Sequence, residues 1–256
     1  MDVDISDILA DISRPSAGQS SATSGYLDTD ASSDHQLLTR SWISERCAPD
    51  LLPYPTDLMT RVLTRLQRQI STIEDLAGGM GETYGSAGLH NTSKSTANSN
   101  LTLSILQTDL SRTQFILRSY LRQRLAKITK FATYYLSELD RDEKNAYLSS
   151  SEVQFLRNHR ALLSGFYDAT FLHAFPPALR RLDDSSGGVP MVEGPDGGKA
   201  VVVRCLVPDG WSNESEVDEG RENGASVELR MRRGQVWVVR WRDVRRGVER
   251  GDLELL

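Results

Sequence analysis

The segment Arg118-Ser119-Tyr120-Leu121-Arg122-Gln123-Arg124-Leu125-Ala126-Lys127-Ile128-Thr129-Lys130-Phe131 is the strongest indication of architecture in this chain. Apolar residues recur there at spacings of three and four, which places them on one face of a helix. They are Leu117, Tyr120, Leu121, Leu125, Ile128 and Phe131. Cations fill the positions between them, namely Arg112, Arg118, Arg122, Arg124, Lys127 and Lys130. Such a helix is typical of a segment that packs against other protein surfaces, not of a catalytic centre.

The basic flank, residues 112–130, is open to three interpretations. It forms a solvated face whose long side chains lie along a helical bundle, or an interface with acidic helices of a partner. Alternatively it binds nucleic-acid phosphates directly, and the chain is then a nucleic-acid-binding module. Tyr120 lies on the apolar stripe, so we expect its ring to pack in a core rather than to stack on bases.

Composition argues against several classes of protein. The 256 residues carry 30 basic and 35 acidic side chains, a net charge of −5, so the chain as a whole does not attract polyanions. Cys47 and Cys205 form neither a metal-binding pattern nor a disulfide framework, which indicates a reducing, intracellular compartment. The N-terminus lacks a secretory signal, and no apolar run approaches the roughly 20 residues that span a membrane.

Motifs for bond-making chemistry are missing from the sequence. No histidine among His35, His90, His159 and His173 has a partner at metal-ligand spacing. Neither a phosphate-binding glycine motif nor a nucleophile elbow occurs. We therefore predict no enzyme, no cofactor and no metal site. A hydrolase is the weaker alternative, because catalytic triads assemble in space and leave no fixed spacing in sequence.

Residues 1–33 are predicted to be a disordered tether that carries a short amphipathic partner-binding peptide. The peptide places Ile5, Ile8, Leu9 and Ile12 on one side of a short helix, with aspartates on the other. Residues 13–33, rich in Ser, Ala, Gly and Thr, bury too little apolar surface to offset the entropy of ordering. The peptide either enters a partner's groove or is an inert terminus.

Residues 34–182 have the pattern of a helical domain. Ser149 and Glu152 have the spacing of a capping box and mark the start of the last long helix. Residues 78–98, rich in small and polar side chains, are predicted to be an exposed loop. Short connections between amphipathic helices indicate a bundle of antiparallel neighbours. We expect its helices to start near Asp34, Thr56, Ser99 and Ser149, and to end respectively at Ala48-Pro49, at Gly78-Gly79, near Leu139 and before Pro176-Pro177.

The remaining chain has a different character. Residues 183–199 read as a linker and residues 200–256 as a small β domain, so the predicted fold class is α+β with the helical bundle first. A hairpin turn is expected at Arg233-Gly234, and an acidic loop at 209–224. Strands are expected at Val201–Val207, Val227–Met231, Val236–Trp241 and Asp252–Leu255. A domain this small is marginal unless it docks against something else.

The signature helix resembles a known family. Ser119-Tyr120-Leu121-Arg122, continued by Arg124, Leu125, Lys127, Ile128, Lys130 and Phe131, is similar to the central helix of the GINS replication proteins, in their Sld-five branch. The resemblance covers residues 35–182 and, more loosely, 200–256. Three shorter segments agree with it in order: Trp42-Ile43 to Leu51-Leu52, Leu172 to Leu179, and Gly247-Val248 with Leu253 to Leu256.

This resemblance implies a non-enzymatic subunit of a four-protein assembly in the nucleus. The other members, the three Psf subunits, would cover the apolar stripes. The assembly joins the Mcm ring and the Cdc-forty-five protein to form the active replicative helicase, with DNA contact indirect or weak. The residues expected to bind partners are Leu117, Tyr120, Leu121, Arg122, Arg124, Leu125, Lys127, Ile128, Lys130 and Phe131.

The N-terminal peptide carries a second likeness. Asp4-Ile5-x-Asp7-Ile8-Leu9-Ala10 is similar to the motif by which fungal members of the family dock a trimeric replisome hub, the Ctf-four adaptor. The likeness implies that Ile5, Ile8, Leu9 and Ile12 enter an apolar groove of that hub, while the aspartates face basic groups around it.

Overall fold

Helices precede a small sheet in the part of the chain that the structure describes. The computed structural model describes residues 24–85, 92–140, 147–182, 191–213 and 227–256. The helical part comprises α1 (Ser24–Cys47), α2 (Thr56–Gly85), α3 (Thr92–Lys130), α4 (Ala132–Asp140) and α5 (Ser150–Thr170), followed by 3-10 turns at Leu172–Ala174 and Pro177–Leu179. The C-terminal part comprises β1 (Ala200–Cys205), β2 (Trp211–Ser212), β3 (Arg230–Met231), β4 (Val236–Arg240), α6 (Trp241–Arg250) and β5 (Leu253–Leu255). The predicted α+β class is confirmed.

Helix α3 is the centre of the bundle, because it packs against α1, α2 and α5. Two apolar clusters surround it. The first consists of Leu38, Leu58, Met59, Val62, Leu66, Leu117 and Tyr120. The second consists of Leu51, Ile128, Phe131, Ala132, Tyr135, Leu139, Leu148 and Leu156. Part of the predicted stripe on α3 is therefore buried inside this chain's own bundle.

The helices extend beyond their predicted limits. Helix α1 begins at Ser24, inside the predicted tether, and only residues 1–23 of that tether lie outside the described residues. Helix α2 continues through Gly78 to Gly85 and α3 begins at Thr92, so residues 78–85 and 92–98 of the predicted loop are helical. Residues 86–91 lie outside the described residues. Each glycine inside a helix costs about 1 kcal/mol. Extending an existing helix is far easier than starting one, and this outweighs the local penalty.

One predicted helix is interrupted in the structure, and the predicted start of another is confirmed. The expected helix 99–139 is divided at Phe131, which separates α3 from α4. The capping box is confirmed: the backbone N–H of Glu152 donates to Ser149 Oγ (3.2 Å), and the Ser149 N–H donates to Glu152 Oε2 (2.9 Å). This reciprocal pair satisfies two N–H groups that the first turn of α5 leaves without helical partners.

The C-terminal sheet is antiparallel with strand order β4-β1-β5, and β2 pairs with β3 in a separate two-stranded ribbon. The strands expected first and last are confirmed as β1 and β5. The hairpin prediction is wrong in its pairing. A turn does occur, with Gly234 at φ +79, but the strand before it pairs with β2 and the strand after it pairs with β1. The acidic loop lies largely in 214–226, outside the described residues.

Helix α6 was not expected from the sequence. Trp241, Val244 and Gly247 recur at a spacing of three and are all buried, whereas Trp241 was expected to end a strand. Gly247 is required by packing, since an added Cβ would lie 2.7 Å from the indole of Trp211. The helix therefore packs directly on the β2–β3 ribbon through its glycine side.

The sheet docks on the turn after α1. Ala48 and Leu52 belong to the same buried cluster as the strands and α6. The thiol of Cys47 donates to the carbonyl of Leu256 (3.3 Å), and the Arg245 guanidinium pairs with the Asp50 carboxylate (3.4 Å). The helical part thus supplies apolar surface that so small a sheet cannot bury on its own.

Candidate partner-binding site

A buried ion network fixes the inner face of α3. The side chain of Arg124 is fully buried and donates to both carboxylate oxygens of Glu152, with the shorter contact at 2.7 Å. It also donates to Glu45 Oε2 (3.0 Å) and to the carbonyls of Leu52 (2.8 Å) and Tyr147 (2.6 Å). A planar guanidinium with five donors suits such a set of acceptors. Arg124 thereby ties α3 to α1 and α5.

Lys127 extends the network by one helical turn. Its ammonium donates to Glu45 Oε1 (2.7 Å) and to the carbonyls of Glu45 (2.5 Å) and Asp50 (2.8 Å). Burial lowers the pKa of Lys127, and the Glu45 carboxylate counteracts this by favouring the charged form. The Tyr135 hydroxyl donates to the Asp50 carboxylate at 2.9 Å. Side chains of α3 and α4 therefore fix the turn at Asp50, against which the sheet packs.

The structure divides the residues predicted to bind partners into two groups. Those facing the chain's own core are Leu117, Tyr120, Arg124, Lys127, Ile128 and Phe131. Those reaching the surface, wholly or in part, are Leu121, Arg122, Leu125 and Lys130. Arg124 and Lys127 were expected to lie on the outer flank of the helix, but the structure buries both. Residues 117, 120, 124, 127 and 131 follow a 3-4-3-4 spacing, which carries both cations to the inward face.

Leu121 and Leu125 line a groove of about 570 Å³ between α3 and the start of α5. Its other apolar walls come from Tyr54, Leu148 and Phe155. Leu125 is 37% exposed, and Arg122 lies beside it on the exposed side of α3. The polar part of the lining consists of Thr56, Ser149, Ser150, Ser151 and Glu152. A groove with such an apolar floor suits the apolar face of an amphipathic partner segment.

Helix α5 adds an exposed apolar ridge that continues from this groove. Phe155, Leu162 and Phe166 are separated by seven and four residues, which places them on one face, and Leu162 and Phe166 are 69% and 58% exposed. The ridge extends past the helix end with Phe171, Phe175 and Leu179, all exposed. The sequence predicted a helix here but did not show that this face of it is exposed. Contiguous exposed apolar surface of this kind marks an interaction site.

The described ranges contain neither a metal-binding group of side chains nor a membrane-spanning helix. Among them, no group of three or more His, Cys, Asp and Glu side chains is placed to hold a metal ion. No described helix combines the length and apolar character that crossing a bilayer requires. The N-terminal residues Ile5, Ile8, Leu9 and Ile12 lie outside the described part of the chain.

Comparison with known proteins assigns the chain to a family. The family model described as the GINS complex protein helical bundle domain matches residues 80–171. The model described as the DNA replication complex GINS protein SLD5 C-terminus matches residues 195–256. The chain belongs to the GINS Sld5 family. The predicted resemblance is confirmed, and with it the order of the two domains.

Curated fungal members of the family are similar over most of their length. The DNA replication complex GINS protein SLD5 of Chaetomium globosum is 35% identical over 225 residues, 87% of this chain and 90% of that protein. The Saccharomyces cerevisiae protein of the same name is 30% identical, covering 96% of each chain. The Schizosaccharomyces pombe protein is 33% identical over 83% of this chain and 87% of its own length. Family membership makes this chain a GINS subunit of the DNA replication complex.

The buried tyrosines predict loss of stability at alkaline pH. Burial raises the pKa of Tyr120 above its ordinary 10.0, partly offset by Arg124; burial and the Asp50 carboxylate raise that of Tyr135. In the unfolded chain both ionise near pH 10, so above that pH the folded state holds more protons and stability falls as pH rises. We expect a slope approaching ~1.4 kcal/mol per pH unit for each tyrosine.

Urea unfolding between pH 9 and 12 measures this slope, and Tyr135→Phe should reduce it. Lys127 acts in the opposite direction: its lowered pKa makes stability rise with pH up to about 10.5, after which both states have lost the proton. The loss of stability caused by the tyrosines is therefore measured above about pH 10.5. A slope that is unchanged in Tyr135→Phe would contradict the assignment.

Proposed function

We propose that this chain is a non-enzymatic structural subunit of the heterotetrameric GINS complex in the nucleus. Through that complex it supports assembly and activity of the replicative DNA helicase in initiation and elongation. The observation that carries the proposal is the exposed apolar surface formed by the α3–α5 groove and the α5 ridge. A chain that leaves large apolar side chains on its surface in a contiguous strip needs partner proteins to cover them.

The immediate partners in this proposal are the three Psf subunits. They cover the groove around Leu125 and the ridge around Phe166, while the buried network of Arg124 keeps α1, α3 and α5 in a fixed arrangement. The Mcm ring and the Cdc-forty-five protein are partners of the completed assembly. Residues 1–12 dock the Ctf-four hub, which leaves the bundle surface available to the Psf subunits.

Co-expression of the full chain with the three Psf subunits of the same organism tests the proposal. We expect native mass spectrometry of the purified particle to give one copy of each chain. A Psf assembly that forms without this chain, while the chain itself remains monomeric and soluble, would refute it. Titration of the isolated chain with duplex DNA at rising salt tests the rival function, for which affinity falls steeply with salt.

A further inference from the structure

Strand β4 presents a free edge. In the order β4-β1-β5 it is bonded to β1 on one side only, and no strand lies on its other side among the described residues. Edge strands of this kind are usually blunted by lysine, proline or a bulge, because their open backbone groups invite pairing. The sequence Val236-Trp237-Val238-Val239 contains none of these. Within the described ranges the edge is therefore both unpaired and apolar.

The register determines which backbone groups point outward. The Gln235 carbonyl accepts from the Cys205 N–H, and the Trp241 N–H donates to the Lys199 carbonyl, so odd-numbered residues face β1. In an antiparallel pair successive residues alternate between the two sides. The N–H and C=O groups of Val236 and Val238 therefore point away from the sheet. These four groups are the template that an added strand requires.

The side chains beside this edge indicate what an added strand contains. Val236 and Val238 are 51% and 70% exposed on the outer face of the sheet. Arginines flank them at both ends, Arg240 after the strand and Arg232 and Arg233 before it, and all three are exposed. No acidic residue occurs between 232 and 240. Apolar contacts in the middle and carboxylates at both ends are the matching pattern.

We propose that β4 is a docking edge for an extended segment of a partner protein, one with an apolar centre and acidic ends. The segment adds as a further strand beside β4: backbone hydrogen bonds to Val236 and Val238 provide affinity, and the flanking arginines select the acidic ends. This surface shares no residue with the α3–α5 groove or the α5 ridge. Its assignment does not depend on how the Psf subunits cover the bundle.

A synthetic peptide tests the proposal on the full chain, alone or in its complex. The probe is a blocked peptide with a Val-Thr-Val-Thr centre and two glutamates at each end; its counterpart has lysines at the ends. We expect calorimetry to give dissociation constants of about 10–100 µM for the acidic peptide, in the range of weak contacts, and at least about tenfold weaker binding of the basic one. Amide exchange of Val236 should slow about tenfold at saturation.

Val238→Pro is the decisive variant. The Val238 N–H points outward, so proline removes a donor for the added strand without removing a bond to β1. We expect at least about tenfold weaker binding of the acidic peptide, and a similar loss for Val238→Glu, which keeps the N–H but repels the carboxylates. Val238→Thr, which keeps both the N–H and the β-branched shape, should bind within about twofold of the wild type.

Three results would overturn the proposal. One is equal binding of the acidic and basic peptides. Another is unchanged affinity in both Val238→Pro and Val238→Glu. The third is a doubled mass in sedimentation that Val238→Pro abolishes, since this would assign the edge to a second copy of the chain. If the Val236 amide hydrogen already exchanges slowly in the complex before any peptide is added, and Val238→Pro makes that exchange fast again, the result supports the proposal, with another GINS subunit as the partner.

Discussion

Arg124→Ala should lower the free energy of unfolding of the full chain by about 3–5 kcal/mol, the range measured when one partner of a buried ion pair is removed. Glu152 then has no cation partner among the described residues, and Glu45 has Lys127 alone. The carbonyls of Leu52 and Tyr147 also lose a donor. Since a typical domain is stable by only 5–15 kcal/mol, urea unfolding followed by circular dichroism should detect a large loss.

Arg122→Ala is the matched control for this substitution. Arg122 lies on the same helix but is exposed, and we expect its removal to change stability by no more than about 0.5 kcal/mol. Arg124→Lys should fall between the two, because an ammonium keeps the charge but not the fork of donors that Glu152 accepts from. Equal midpoints of urea unfolding for Arg124→Ala and Arg122→Ala would mean that the buried network contributes nothing to stability.

Leu125→Asp should leave the chain folded and remove it from the assembly. Leu125 is partly exposed on the groove floor, so an aspartate there is hydrated in the free chain. In the complex the same carboxylate would be buried without a partner, which costs several kcal/mol. We expect at least about tenfold less complete particle by native mass spectrometry, equivalent to 1.4 kcal/mol or more.

Ala126→Asp controls for the new charge and for the lower helix propensity of aspartate. Ala126 is the next residue on α3, is exposed and does not line the groove. Leu121→Asp is also expected to abolish assembly, but Leu121 is half-buried against the bundle core, so this variant loses chain stability as well. Recovery of the Leu125→Asp chain with full-stoichiometry partners would show that the groove is not a subunit contact.

Periodicity identified α3 and its apolar stripe, of which Leu117, Tyr120, Ile128 and Phe131 are buried. It did not reveal that Arg124, which polarity placed on the basic flank, faces the core. The buried position of Arg124 depends on carboxylates 79 and 28 residues away in sequence, at Glu45 and Glu152. No local window contains these partners. Burial of a charge is decided by tertiary satisfaction of its donors, whereas the capping box at Ser149, a local interaction, was predictable.

In the sheet domain, too, features that depend on residues distant in sequence could not be predicted. The strands β1 and β5 were predictable because β-branched and alternating residues mark them locally. The pairing of β4 with β1 rather than with its neighbour β3 joins residues more than thirty positions apart, such as Val202 and Val238. Helix α6 was missed because its exposed face is almost wholly arginine. Its buried Trp241, Val244 and Gly247 were the available signal.

The turn at Ala48–Leu52 sets the order in which the nascent chain can complete its core. Ala48 and Leu52 belong to an apolar cluster whose other buried members begin about 150 residues later in the sequence, at Val201, and the Cys47 thiol donates to the carbonyl of Leu256. During synthesis this turn stays uncovered until the strands of the sheet have been translated. Contacts of such long sequence separation form slowly, and intermediates that expose apolar surface aggregate. The helical bundle therefore depends on the later-made sheet to cover this turn.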